Sequence, residues 1–144
     1  MNFRSVSAVA AGLVLALAPA ASAFAAGNEI KINSATAGTE MFMNPIEVEV
    51  TYSCQPGTPS SMMHLSAASG DTEGIGRMAA RCNGESITET IDVSPILNSQ
   101  TNMLGSFSKG EEVVVDAAIV MIEPSAEQMD SARVVHTEQR LTIQ

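Results

Sequence analysis

From Ile46 to Cys54 apolar and polar residues alternate without a break: Ile46, Val48, Val50, Tyr52 and Cys54 on one side, Glu47, Glu49, Thr51 and Ser53 on the other. Successive side chains of an extended strand point to opposite faces, so this run fits a strand with one face in a core and the other in water. Wound into a helix, the same run would scatter its apolar residues around the whole circumference. No stretch beyond the first 25 residues carries a convincing 3.6-residue repeat, and the fold class that follows is all-β.

Further strands are expected at 28–33, 62–68, 74–82, 86–93, 112–122 and 133–143, parted by turn-forming segments such as Gln55-Pro56-Gly57-Thr58-Pro59 and Ser69-Gly70-Asp71. Asn83-Gly84 is the strongest short hairpin signal, because a type I′ turn needs positive φ at both central residues. A two-residue turn there pairs Cys82 with Glu85, Ala80 with Ile87, Met78 with Glu89 and Gly76 with Ile91. Glu89 is then a misfit on the apolar face, placed near a sheet rim. The run from Glu112 to Ile122 is apolar on both faces except for Asp116, as a central strand covered on both sides would be. Between Ser94 and Gly110 lies a long segment with a polar centre, Asn98-Ser99-Gln100-Thr101-Asn102. Ile96, Leu97, Met103, Leu104 and Phe107 surround it, and it has room for an extra short strand. Seven short strands with turns between them suggest an immunoglobulin-like two-sheet sandwich, in preference to a closed barrel.

The N-terminus has the three zones of a secretory signal: Arg4 as the only charge, an apolar run from Val6 to Leu17, and small residues before a cut. Ala21-Ser22-Ala23 and Ala23-Phe24-Ala25 both fit the small-x-small rule, so cleavage is expected after Ala23 or Ala25. Gly12, Pro19 and Ser22 interrupt the segment, where a membrane anchor would need about 20 apolar residues in succession. Residues 1–25 are therefore read as a signal peptide and 26–144 as one domain in the extracellular space, without a membrane span after processing. The sixteen acids all follow residue 28, and with Arg4 removed the formal charge of the mature domain is about −10. Such a surface repels phosphate backbones and anionic lipid, which argues against nucleic-acid binding.

Cys54 and Cys82 are the only thiols, and export places them where disulfides form and persist. Each ends the apolar face of its own strand, so a Cys54–Cys82 bridge is expected. Thr51-Tyr52-Ser53-Cys54, Gly74-Ile75-Gly76, Arg81-Cys82-Asn83-Gly84 and Phe107 with Gly110 ahead of a valine-rich strand together resemble a group of small secreted actinobacterial proteins of unknown function. The similarity spans roughly residues 46–143. Where members of that group carry an aromatic residue shortly after the Cys-x-Gly turn, this chain has Ile87 or Thr88. The resemblance implies an immunoglobulin-like sandwich with one disulfide, and no catalytic residues.

Chemistry-bearing motifs are sparse. A Ser-His-Asp site would need His64 or His136, the only histidines, and no Gly-x-Ser-x-Gly elbow accompanies either. Glu123, Glu127 and Asp130 crowd one loop, without the alternating ligand ladder of a calcium site. The methionine pairs Met41/Met43 and Met62/Met63 lack nearby His or Cys ligands and read as core filling. The function expected is that of a non-enzymatic extracellular binding module without a cofactor, acting on a protein or a cell-surface component. The alternative is a secreted protease inhibitor whose protruding loop is 94–108. In a sandwich of this order the loops after the second, fourth and sixth strands share one end, so Glu123, Glu127 and Asp130 are the candidate partner-binding residues.

Overall fold

The structure, a computed structural model, describes residues 27–39, 43–56, 61–121 and 133–144. The alternating run forms β2 (Ile46–Ser53): Ile46, Val48, Val50 and Tyr52 are completely buried, while Glu47, Glu49 and Thr51 on the other face keep contact with water. The other strands are β1 (Glu29–Ala37), β3 (Ser61–Ser69), β4 (Thr72–Ala80), β5 (Ile87–Ile96), β6 (Glu112–Met121) and β7 (Arg133–Thr142). All pairs are antiparallel, in the order β1-β2-β5-β4-β3-β6-β7, and the described residues contain no helix. The all-β expectation is met with seven strands.

β5 belongs to two layers. Its residues from Ile87 to Val93 pair with β2, and those from Ser94 to Ile96 pair with β4. One layer is therefore β1-β2-β5 and the other β4-β3-β6-β7, with β5 as the hinge between them. On the far side the outermost strands meet: Ala37 N donates to Gln144 O at 2.9 Å and Gln144 N to Ala35 O at 3.0 Å. The inner faces supply one core, including Ile32, Val48, Val50, Met63, Leu65, Val113, Val115, Ile119 and Ile143. Each such side chain stabilises the fold by roughly 1.5–3 kcal/mol through burial, which is why period two in the sequence is so strictly kept on these strands.

Three expectations require correction. β1 runs on to Ala37 beyond the expected end at Asn33, because a bulge between Ile32 and Ser34 restores the pairing with β2. The extra residue, Asn33, is held by bonds from its amide to Glu49 Oε1 at 3.1 Å and Thr51 Oγ1 at 2.8 Å. β6 is central in its sheet, but only its odd-numbered face is covered continuously, from Val113 to Ile119; Val114, Asp116 and Val120 on the other face are half-buried. Valine there fits a pleated surface without needing a second layer.

The Asn83-Gly84 hairpin is the third correction. Among the described residues the non-glycine positions with positive φ are Asn44 and Asn102; Gly84 has φ 83°, whereas Asn83 does not join it, so the turn is not type I′. β4 and β5 pair only at Glu73–Ile96, Gly74–Pro95 and Ile75–Ser94, which is shifted by two from the expected register, and then diverge. The physical cause is competition: β5 gives its first seven residues to β2, and the chain between the strands is drawn toward the same layer by the bond from Gly84 N to Cys54 O. Glu89 stands opposite Val50 instead of Met78. Its carboxylate is capped by an ion pair with Arg81, which explains how an acid is accommodated on that face. The same contact raises the Arg81 pKa further above its ordinary value, first through the hydrogen bond and then through charge.

Candidate functional site

Antiparallel pairing throughout puts the strand ends Ser53, Ala80 and Met121 at one end of the molecule and Ser69, Ile96 and the start of β6 at the other. The first end is stapled. Cys54 and Cys82 form the expected disulfide, with a Cα separation of 4.7 Å. Beside it the buried Tyr52 hydroxyl accepts a hydrogen bond from Arg81 N at 3.1 Å. The candidate partner-binding residues Glu123, Glu127 and Asp130, and the cleavage residues Ala23 and Ala25, lie outside the described residues.

Both histidines stand on the outer face of β4-β3-β6-β7, in one row with Arg77 and Ala118. His136 pairs with Asp116, one row along, and both partners keep contact with water. Ser66 lies across from Asp116, so the residues of this face are brought together by register alone. A shallow depression of about 360 Å³ runs over the small Ser66 and Ala68 between the larger Ile75, Ile96 and Val114. Among the described residues no three His, Cys, Asp or Glu side chains are grouped as metal ligands.

The opposite end carries the most constructed feature. Residues 97–104 close a small hairpin: Leu97 and Leu104 form a bridge, Asn98 N donates to Met103 O at 3.0 Å, and Asn102 N donates to Asn98 O at 2.9 Å. Asn102 adopts φ 52°, a left-handed conformation that asparagine tolerates better than most residues. This hairpin is the extra short pairing that the sequence left room for. Asn98 is its anchor and is 7% exposed. Its side-chain oxygen accepts from Gln100 N at 2.8 Å and Thr101 N at 2.9 Å, while its amide donates to Asp71 O at 2.9 Å and Glu73 Oε1 at 3.3 Å. One side chain thus shapes the loop from within and ties it to the β3–β4 turn.

The return limb is fixed as firmly. Thr72 Oγ1 donates to Ser106 O at 3.2 Å, and Gly105 lies so close to Thr72 that a Cβ there would stand 2.1 Å from that oxygen. Phe107 is buried under Gly74. Between these anchors Leu97, Met103 and Leu104 are 59%, 69% and 52% exposed. The ties on both limbs fix the backbone that carries these three exposed side chains. From Pro95 to Ser108 the sequence contains no charged residue, although the domain as a whole is strongly acidic.

Of the apolar residues that the sequence placed around the polar centre, Phe107 joins the core while Leu97, Met103 and Leu104 face solvent. Sequence reasoning missed Asn98, Thr72 and Gly105. Asparagine followed by polar residues does signal a side-chain-capped turn. The tie to Asp71 and Glu73, more than 20 residues away, has no local signature. No protein-family model matches the chain, and no curated protein matches it.

Proposed function

We propose that the chain is a secreted, non-enzymatic binding module: a signal peptide over 1–25, then an immunoglobulin-like domain of the small actinobacterial type that the sequence resembles, working on an extracellular protein. The observation that carries this reading is the anchored loop at 97–104, which holds three apolar side chains in water on a fixed backbone. Exposing them costs free energy in the isolated molecule, and fixing them in advance lowers the entropy lost on docking. Depletion of charge with retention of apolar side chains is the composition of an interface centre.

Protease inhibition through the 94–108 segment is the second reading, and the backbone of 97–104 fits it less well. An inhibitor that fills a protease groove like a substrate presents an extended segment whose backbone pairs with the enzyme. Here the carbonyl of Met103 is already bonded to Asn98 and Asn102 is left-handed, so the loop offers side chains more readily than backbone.

The test is capture from culture supernatant and cell-wall fractions by the mature protein, by a Leu97→Ser/Met103→Ser/Leu104→Ser variant, and by a Glu123→Ser/Glu127→Ser/Asp130→Ser variant. The loop variant is expected to lose the captured protein while keeping its melting temperature, and the acidic variant to retain it. Capture lost only in the acidic variant would move the site to the 123–130 segment. Tight inhibition by the wild type across a panel of secreted proteases would favour the second reading.

A further inference from the structure

Building on the binding-module reading, we infer that the partner of the 97–104 loop is a basic protein with an apolar pocket, the pocket taking Met103 and the Leu97–Leu104 pair while the partner's cations face the acids around the loop base. Two observations on the molecule select this occupant. The first is size. Three side chains exposed by half to two thirds offer on the order of 300 Å² of apolar surface, well short of the roughly 800 Å² per partner of a stable dimer. A flat pairing of two loops from two copies of this chain is thus too small, and two bodies of the same strong negative charge repel. A patch of this size gains affinity when it is enclosed in a pocket and desolvated completely.

The second is charge. Asn98 bonds the backbone carbonyl of Asp71 and the carboxylate of Glu73, so two acidic residues belong to the segment that the loop is tied to. Glu111 accepts from Ser69 Oγ and Ser108 N at 3.3 Å, which places a third carboxylate beside the same turn. Lys109 is the single cation between Asp92 and Glu123, and Arg140 at this end is engaged by Glu112. A charge-free centre with an acidic rim is complementary to an apolar pocket with a basic rim. A phospholipid surface is a poorer fit, since the loop has no aromatic residue between Leu97 and Leu104 and the surrounding acids oppose an anionic headgroup layer.

A photo-crosslinking side chain placed at Met103, with Lys31 on β1 as the control position, tests the inference when the exported protein is mixed with the secreted and surface proteins of the cells that produce it. The expected result is one protein crosslinked from position 103 and not from 31. Its purified form should bind wild type with an association rate that falls at least fivefold between 50 and 300 mM salt, on the order expected for charge-steered encounter. Met103→Ser with Leu104→Ser should weaken that binding at least tenfold, and Asp71→Asn with Glu111→Gln should flatten the salt dependence and slow association without changing dissociation. A crosslinked partner whose binding depends on Met103 but is indifferent to salt and to the two neutralised acids would overturn the basic-partner inference and leave the binding-module reading standing. A crosslink to a second copy of the chain, binding to phosphatidylcholine vesicles in place of protein, equal crosslinking from position 31, or none from position 103 would overturn both.

Discussion

Asn98→Ala removes the side chain that both shapes and tethers the exposed loop. Four hydrogen bonds go with it, two accepted from Gln100 and Thr101 and two donated to Asp71 and Glu73. A buried hydrogen bond contributes roughly 0.5–1.5 kcal/mol net, and the groups released here lie close enough to solvent to be rehydrated, so the total sits near the low end, at about 2–3 kcal/mol. The loss is local. β5 and β6 keep their pairing with β2, β3 and β7, so the cost appears as opening of the loop and not as unfolding of the domain. At 1.4 kcal/mol per factor of ten, the amide of Asn102, bonded to Asn98 O, should exchange its hydrogen about 30- to 150-fold faster. Asn98→Asp separates the two roles. It keeps both acceptors and loses both donors, and it sets a carboxylate against Glu73, so the turn should persist while the tether to Asp71 and Glu73 is lost. Residue-resolved hydrogen exchange is the assay. A change of less than threefold at Asn102 in the alanine variant would refute the anchoring role, and so would an equal loss of protection at Val50.

Removing the disulfide with Cys54→Ala and Cys82→Ala acts on the unfolded chain; for a sequence separation of 28 the chain-entropy relation gives about 3.6 kcal/mol, or ~10–15 °C in a domain of this size, measured by thermal melting in non-reducing buffer. Gly105→Ala drives a Cβ into Thr72, 2.1 Å from its hydroxyl oxygen and 2.9 Å from its Cα; a loss of about 1–3 kcal/mol, readable by urea denaturation, is expected because the backbone of Thr72 cannot yield as a side-chain tip would. Tyr52→Phe deprives Arg81 N of its acceptor beside the disulfide and should cost about 1 kcal/mol in the same assay. N-terminal sequencing of the protein recovered from the medium should begin at Phe24 or Ala26, and an intact Met1 or Asn2 would contradict the signal-peptide reading.

The strands were legible because burial on one face enforces alternation, and Ile46, Val48, Val50 and Tyr52 obey it without exception. The disulfide was legible from strand parity, together with the export that the N-terminal segment leads one to expect. What misled was local grammar overruled by distant pairing. Asn83-Gly84 specifies a hairpin in isolation, yet the contest between β2 and β4 for β5 decides the outcome, and no nearby residue announces which neighbour wins. The loop failed in a related way. Leu97, Leu104 and Phe107 are equally apolar in sequence, but Phe107 meets an open space over Gly74 while the bridge and Asn98 hold the leucines outward. Which apolar residue remains in water is fixed by tertiary ties, and that choice is what marks the candidate site.

A binding module of the proposed kind holds its loop in the binding shape before any partner arrives. Backbone ¹⁵N relaxation on the free mature protein tests it at once. Order parameters for residues 97–104 near the rigid-backbone value of ~0.85, matching those of β2 and β6, are the predicted result. Values below ~0.6 across Asn98–Met103, with rigid strands on either side, would contradict it.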